Sequence, residues 1–553
     1  MSDESVADRI VGVVRASGVN TVFGLPGEDH LSLLESLHAA QVRYVAAANE
    51  SSAVVMAATS GIRARRCGFV VLSMAPGISN GMNGLAHAYS EQLPVVVISG
   101  RQGQSLAPFV VRQGLPGSEL VRPVVKWTSS LTSSADPSRL VIKAIEVAMR
   151  HPAGPVYLEM PDEWMRTAVA TQVDPAILRR FAVRLQQRDD VPRTVDVSSS
   201  DAAWLRQRLA AARRPAVIVG GAPDGAQEEL KEALGRFVCE YQCPVLVTPR
   251  RIGTLRPESP WFAGCFLNGA VEHALLDSSD LLLAFDLDGM DTYNTPWLYA
   301  ETVGVSANGR SYLYDFERDI CASPHAVLAA MSEPKGGALT GESGRWQQDD
   351  VKRYRDHVSE MLLAAEAPAF GVVSAVEVLL KAMPAGATVV ADAGFSKPIL
   401  LLLGGHKFAG RFLASNGLST MGFGIPAGIA WALEEEGPVV VVTGDGSAVM
   451  RITELAFHRR VVGPLVVVVI ADGALTQIRV KQQLKGLHGT GVELPSLEWG
   501  PIAAALGVKG VDVFDRESAE QAIVAATNGI GVTVIGVHVD TDSASAVFDV
   551  VRG

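Results

Sequence analysis

Two stretches of the chain run Val439-Val440-Val441-Val442-Thr443-Gly444-Asp445-Gly446-Ser447 and Leu465-Val466-Val467-Val468-Val469-Ile470-Ala471-Asp472-Gly473-Ala474. Each is a nearly unbroken β-branched run that stops on a turn of glycine and aspartate. A strand with one solvated face alternates apolar and polar residues. A run apolar on both faces fits a strand covered on both sides, as in the parallel sheet of an α/β layer. Parallel neighbours need a crossover, usually a helix, and Ala448–His458 is predicted to be helical. The two runs therefore predict adjacent strands that deliver Asp445 and Asp472 to the same sheet edge.

The same rhythm extends along most of the chain. In the first segment, strands are predicted at Thr21–Phe23, Tyr44–Ala46, Phe69–Leu72, Val95–Ile98 and Val156–Glu159. The middle segment offers Ala216–Gly220, Val245–Val247, Leu281–Phe285 and Tyr312–Asp315. The last offers Thr388–Ala391, Arg411–Leu413, the two runs above and Val532–Val539. Polar stretches at Arg184–Asp201 and Glu333–Asp350 are read as linkers. The expected fold is α/β, with three doubly wound parallel-sheet domains at 1–175, 190–335 and 360–545, the first and last alike in rhythm.

At 553 residues the chain is too long for one core. With 48% hydrophobic and 19% charged residues it has the composition of a globular enzyme. A net charge of −11 without a long basic block argues against nucleic acid as a partner. No apolar run approaches the roughly 20 residues needed to span a bilayer, so no membrane partner is expected. The acidic Met1–Arg9 stretch does not resemble a secretory or transit segment, which makes a cytoplasmic location the expectation. Cys67, Cys239, Cys243, Cys265 and Cys321 form no CxxC pattern and are expected to be reduced.

Open parallel sheets bind ligands beyond the carboxyl ends of their strands. Glycines there let the backbone approach a phosphate closely. An aspartate at that point would repel a bare phosphate, so it makes sense with a divalent cation between them. Mg²⁺ takes hard oxygen ligands, typically one or two carboxylates with phosphates and water. Asp445 and Asp472 meet that demand. Gly-Asp-Gly alone is as easily a plain turn; the second strand and its aspartate shift the balance.

These residues resemble the thiamine-diphosphate enzymes of the acetolactate synthase and pyruvate decarboxylase type, whose signature is Gly-Asp-Gly, about two dozen residues, then Asn-Asn. Here Gly444-Asp445-Gly446 and residues 447–470 precede Ala471-Asp472. Ala-Asp thus replaces Asn-Asn, keeping a side-chain oxygen and adding a charge. The resemblance implies Asp445, Asp472 and the Ala474 carbonyl as Mg²⁺ ligands, with Gly444, Gly446, Ser447, Thr476 and Gln477 at the cofactor.

Upstream, Asn49-Glu50 follows a short strand at a helix start, where the family carries the glutamate that activates thiamine at its aminopyrimidine. Taken alone, a lone glutamate in an alanine-rich helix is usually a solvated residue. Ser73-Met74-Ala75-Pro76-Gly77-Ile78-Ser79-Asn80 resembles the family's Ser-Gly-Pro-Gly-x-x-Asn turn, with Ala75 where glycine is usual. It places Pro76 and Asn80 at the cofactor. Gly24-Leu25-Pro26-Gly27-Glu28 resembles the first strand's turn. Pro26 and Gly27 are then cofactor contacts, and Glu28 is either a proton-handling acid or a helix cap. Asn416–Ala427 matches the family nearly continuously, with Ser419 at the cofactor and Met421 as the apolar wedge under thiamine. Gly394-Phe395-Ser396 is a shorter match at a strand end, and Gln113 lies in a stretch similar to the synthase's glutamine.

The resemblance is strongest at 20–100 and 415–510 and loose from 180 to 340. It names the domains pyrimidine-binding, central and diphosphate-binding. Ile478 stands where decarboxylases carry a proton-relaying glutamate, and their histidine pair is absent from 101–127, so the synthase branch is nearer. The implied reaction is decarboxylation of a 2-oxo acid, with transfer of the acyl carbanion to a carbonyl acceptor. The alternatives are simple non-oxidative decarboxylation or a thiamine-binding non-catalytic subunit. Lys126, Arg112, Lys481 and Arg479 are candidate carboxylate clamps or merely solvated cations. Flavin (FAD) is not expected, because Val217-Ile218-Val219-Gly220-Gly221 opens no GxGxxG loop. The family pairs domains of different subunits at each cofactor, which implies a homodimer or homotetramer with interface sites.

Overall fold

The structure is a computed structural model that describes residues 4–102, 112–132, 136–169, 175–188, 194–221, 227–290, 292–293, 295–299, 301–307, 316–332, 344–366, 370–408 and 412–552. Its eighteen strands among the described residues form three parallel six-stranded sheets. The first holds β1 (Thr21–Gly24), β2 (Arg43–Ala46), β3 (Gly68–Leu72), β4 (Val95–Arg101), β5 (Trp127–Ser130) and β6 (Val156–Pro161). The second holds β7 (Pro215–Val219), β8 (Val245–Val247), β9 (Phe262–Cys265), β10 (Leu281–Phe285), β11 (Thr302–Ser306) and β12 (Arg318–Cys321). The third holds β13 (Thr388–Ala391), β14 (Phe412–Ala414), β15 (Val439–Gly444), β16 (Leu465–Ala471), β17 (Lys509–Val513) and β18 (Val532–His538).

The likeness of rhythm between the first and last segments is realised as identical topology. The first sheet runs β2-β1-β3-β4-β6-β5 and the third β14-β13-β15-β16-β18-β17, the same order strand for strand. The middle sheet differs, running β12-β11-β10-β7-β8-β9. Val440, Val441, Val466 and Val467 are fully buried, as a strand covered on both faces requires. Each contributes on the order of 2 kcal/mol by leaving water. β15 and β16 pair in register from Val439↔Leu465 to Gly444↔Ile470, so their turns emerge side by side.

Several boundaries differ from expectation. The helix after β15 starts at Asp445 rather than Ala448, ends at Arg451, and is followed by a separate short helix, Glu454–Phe457. The stretch 184–201 is not a simple linker: one helix reaches Arg188 and another begins at Ser199, where Ser198 accepts from the Asp201 N–H as its cap. The predicted strand Tyr312–Asp315 lies outside the described residues. Cys239 is exposed on the helix Gln227–Tyr241, whereas Cys243 is buried beyond its end, and both thiols are free.

Contacts divide the chain into two compact units. One comprises Met1–Asp190, Gly417–Glu436 and Met450–Val462; the other comprises Val191–Asn416, Gly437–Val449 and Gly463–Gly553. Among the described residues no helix is long and apolar enough to cross a membrane.

Candidate active site

In the second unit, β13, β15 and β16 are neighbours, and their carboxyl ends carry Asp392-Ala393-Gly394, Gly444–Ser447 and Ala471–Ala474. Side chains bind these turns together. The Thr443 hydroxyl donates to Asp392 Oδ2 at 3.2 Å, and Ser447 Oγ donates to the Ala393 carbonyl at 3.1 Å. The Gly446 N–H donates to Asp445 Oδ1 and the Gly473 N–H to Asp445 Oδ2, both at 2.8 Å. Ala474 N–H donates to Asp472 Oδ1 at 3.2 Å. Gly473 has φ +66°, a conformation that only glycine adopts without strain.

A Cβ placed on Gly394, Gly444 or Gly473 would meet no atom within 4 Å. Three adjacent strand ends thus leave an open face where backbone is bare. Phe395 and Ser396 begin the helix Ser396–Gly404 beside it, both buried. Thr476, buried, and Gln477, half-buried, open the helix Thr476–Leu484 on the other side.

Burial sets the electrostatics at these strand ends. Burial raises the Asp445 carboxyl above its ordinary range, against the opposing N–H groups of Gly473 and Gly446. Burial also pushes Asp472 up to about 6, and the Asp445 charge adds to that rise; the Thr476 hydroxyl and Arg479 act the other way. A buried Asp445 whose charge disfavours ionisation of the half-buried Asp472 suits a divalent ion held between the two carboxyls. Among the described residues no cluster of three or more His, Cys, Asp or Glu side chains forms. Backbone and phosphate oxygens would therefore have to complete the sphere, as Mg²⁺ commonly accepts, and the bare glycine face leaves room for them. The residues present fit a Mg²⁺-diphosphate group.

In the first unit, Glu50 is the first residue of the helix Glu50–Ala64 and only 6% exposed. Asn49 caps that helix, its side chain accepting the Ser51 N–H at 2.9 Å. Asn80 Nδ2 donates to Glu50 Oε2 at 3.2 Å, so the two residues singled out from separate motifs meet directly. Pro76 opens the helix Pro76–Ser90, which carries Asn80. Ala75 before it adopts φ 48° and ψ −86°, a strained conformation for a residue with a Cβ.

Pro26 and Gly27 form the turn after β1, and Glu28 is exposed at the start of a short 3₁₀ turn, Glu28–His30. The next two residues, not singled out from the sequence, are the buried ones. Asp29 Oδ2 accepts the Met74 N–H at 2.7 Å, and His30 Nε2 accepts the Gly27 N–H at 3.0 Å. Asp29 Oδ1 lies 3.2 Å from His30 Nδ1. Asp29 thereby ties the β1 turn to the β3 turn. The only sequence signal was an acid and a histidine following Pro26-Gly27-Glu28.

Ser419 and Met421 belong to this same unit rather than to the one bearing the aspartates. Their segment is fastened by Gly417 N–H donating to Glu91 Oε1 at 2.7 Å and Thr420 Oγ1 donating to Asn83 Oδ1 at 3.0 Å. Phe423 packs on His87 with ring centroids 4.8 Å apart, and Arg63 pairs with Glu434 at 3.0 Å. Ser419 is exposed with φ 50°, and Met421 is half-buried. Gln113 is exposed in a turn with φ 59°, one residue beyond Arg112, which follows residues 103–111 that lie outside those described. Among the candidate clamps, Lys126 caps a helix end, donating to the Val147 carbonyl at 2.6 Å and to the Arg150 carbonyl. Arg112 is exposed, and Arg479 lies near Asp472.

Residues 4–120 match the N-terminal TPP binding domain of the thiamine pyrophosphate enzymes, 202–308 the central domain and 392–537 the C-terminal TPP binding domain. The chain belongs to the thiamine pyrophosphate enzyme family. Its relatives include synthases and decarboxylases. The large subunit of acetolactate synthase isozyme 2 from Escherichia coli K12 is 25% identical, covering 97% of this chain and 95% of that one. Benzoylformate decarboxylase from Pseudomonas aeruginosa is 27% identical, covering 92% and 94%. The solved thiamine diphosphate-dependent 4-hydroxybenzoylformate decarboxylase of Rhodococcus jostii RHA1 shares the fold, with a TM-score of 0.77 at 21% identity over 98% of this chain and 100% of that one.

Proposed function

We propose that this member of the family decarboxylates a 2-oxo acid and transfers the acyl unit to a carbonyl acceptor, with Asp445 and Asp472 holding Mg²⁺ against the cofactor diphosphate. The observation that carries this reading is the pairing of a buried Asp445 with a half-buried Asp472 at neighbouring strand ends over three uncovered glycines. The Ala474 carbonyl is assigned as the third protein ligand. Gly444, Gly446, Ser447, Thr476, Gln477 and the Gly394–Ser396 turn line the diphosphate side, and Pro26, Gly27, Pro76, Asn80, Ser419 and Met421 the pyrimidine side.

Bound thiamine diphosphate supplies the electron sink for the pair left behind by departing CO₂. The chain's part is protonic and positional. Glu50 carries a proton at the aminopyrimidine N1′, and Asn80, bonded to its Oε2, fixes which carboxyl oxygen is presented. Glu28 and Gln113 are assigned to the substrate side of the same centre.

Glu50 and the two aspartates belong to different compact units. Homodimeric or homotetrameric assembly, with each site completed by two protomers, accords with that division. The exposed Met450, Phe457 and Val462 offer apolar surface for it. A cytoplasmic location follows from the same reading.

Ile478 in place of a carboxyl and the lack of histidine in 101–127 favour ligation over simple protonation. The benzoylformate decarboxylase relative supports plain decarboxylation as the second reading. Incubation with a panel of 2-oxo acids, with and without aldehyde or 2-oxo acid acceptors, decides between them. Ligation predicts CO₂ release with a hydroxyketone product; an aldehyde as sole product in every pairing would establish the second reading instead.

A further inference from the structure

Glu454 is a glutamate with 1% exposure at the start of the short helix Glu454–Phe457. A carboxylate is costly to bury unless strong donors meet it. Its donor is in the N-terminal part of the same unit: Ala48 N–H donates to Glu454 Oε2 at 2.8 Å.

The position of Ala48 gives that bond its meaning. β2 ends at Ala46, and the Ala47 N–H still donates to the Gly24 carbonyl of β1 at 2.9 Å. Ala48 has left the sheet, and the Asn49 cap takes the Ser51 N–H only once the helix has begun. The Ala48 N–H therefore falls between ladder and helix, and Glu454 supplies its acceptor. Two residues later comes Glu50, whose Oε2 must meet Asn80 at 3.2 Å. Burial raises the Glu454 carboxyl above its ordinary range, while the Ala48 N–H, the Ser52 hydroxyl and Arg451 favour the charged form. The side chain reaches across 406 positions of sequence to hold one backbone donor beside the activating carboxyl.

We propose that Glu454 is a positioning residue for Glu50: by holding the Ala48 N–H it fixes the turn from which Glu50 projects, and thereby the placement of the Glu50 carboxyl against Asn80 and the aminopyrimidine. The proposal rests on the thiamine-activating reading of Glu50.

Glu454→Gln keeps an oxygen acceptor for Ala48, and Glu454→Ala removes it. Both are made in the full chain, checked for fold by far-UV circular dichroism, and loaded with thiamine diphosphate and Mg²⁺. The readouts are the near-ultraviolet dichroism of the bound aminopyrimidine and kcat and KM for an active 2-oxo acid. Glu454→Gln should stay within about 3-fold of wild type, whereas Glu454→Ala should lose the aminopyrimidine signal and about 10- to 100-fold in kcat, with KM little changed. If Glu454→Ala does not fold, Glu454→Asp, one methylene too short for Ala48, should show the same losses. A folded short variant with wild-type signal and kcat would overturn the proposal, as would equal losses in Glu454→Gln. A wild-type chain that binds no thiamine diphosphate would instead remove the reading beneath it.

Discussion

The N–H of Gly473 donates to Asp445 Oδ2 at 2.8 Å, so the turn after β16 is bonded to the carboxylate that opens the turn after β15. Asp472, the residue before that glycine, is brought to the same edge, and its carboxyl is pushed up to about 6 by burial and by Asp445. Without a cation the pair is mutually destabilising. Asp472→Asn should therefore raise the unfolding midpoint of the metal-free protein and weaken Mg²⁺ by about tenfold, the loss of one charge from the ligand set. Differential scanning calorimetry with and without Mg²⁺ measures both. An unchanged metal-free midpoint would show that the two carboxylates do not interact.

Glu50 is expected to act in catalysis rather than in binding. Glu50→Gln keeps the shape that Asn80 meets and removes the exchangeable proton, so kcat should fall by about 10²- to 10⁴-fold while thiamine diphosphate still binds. Mixing Glu50→Gln with Asp445→Ala tests whether sites are shared. Each hybrid dimer would contain one intact site, and partial recovery of activity is predicted once subunit exchange is confirmed by mass labelling.

Ala75 occupies φ 48°, ψ −86° immediately before Pro76. Glycine accepts that conformation without a Cβ penalty, and its greater unfolded-state freedom offsets only part of the gain. Ala75→Gly should stabilise the chain by about 1 kcal/mol, visible as a higher urea midpoint. A lower midpoint would mean that the Ala75 methyl, which is buried, contributes more by packing than its backbone costs.

His87 is buried against Phe423, and burial holds its imidazole down to about 4. The native ring is neutral, while the unfolded chain takes up a proton near pH 6.5. Stability that is complete above pH 6.5 is therefore lost progressively as pH falls toward 4, by about 3 kcal/mol. Urea unfolding from pH 7 to 4 should show this loss in the wild type and a shallower one in His87→Gln. Parallel slopes would assign the acid sensitivity elsewhere, for example to His458, which burial also holds down to about 4.

How legible this was in the sequence varied with how local the cause is. The central strands of the first and last sheets announce themselves because burial on both faces demands β-branched runs, and Val439–Val442 and Leu465–Ile470 were placed to within two residues. In the middle sheet the interior strand Thr302–Ser306 was missed, its short run broken by Gly304. Edge strands carry no such demand. Trp127–Ser130 is half-buried, and Lys509–Val513 is mostly exposed, so neither has an apolar run to find. The Asp445–Asp472 relationship was readable because two adjacent parallel strands fix it. Glu50 and Asn80 were readable only through the order of their motifs, and the structure joins them by a hydrogen bond. Asp29 and Glu454 were missed because what they do is tertiary: each satisfies a backbone donor on another turn, which spacing along the chain does not encode. His30 was missed although its bond is local, because a ring nitrogen accepting the Gly27 N–H three residues back has no sequence signature of its own. Ala75 was visible as a departure from the family turn, but its strain was not.

The central claim is that Asp445 and Asp472 hold a divalent cation which in turn holds thiamine diphosphate. Isothermal titration of the wild-type chain with thiamine diphosphate, in Mg²⁺ and in chelator, tests it most directly. One binding event per chain is predicted in Mg²⁺, weakened by at least about 100-fold in chelator or in Asp445→Ala. No heat with both ligands present, or binding indifferent to chelator and to Asp445→Ala, would contradict it.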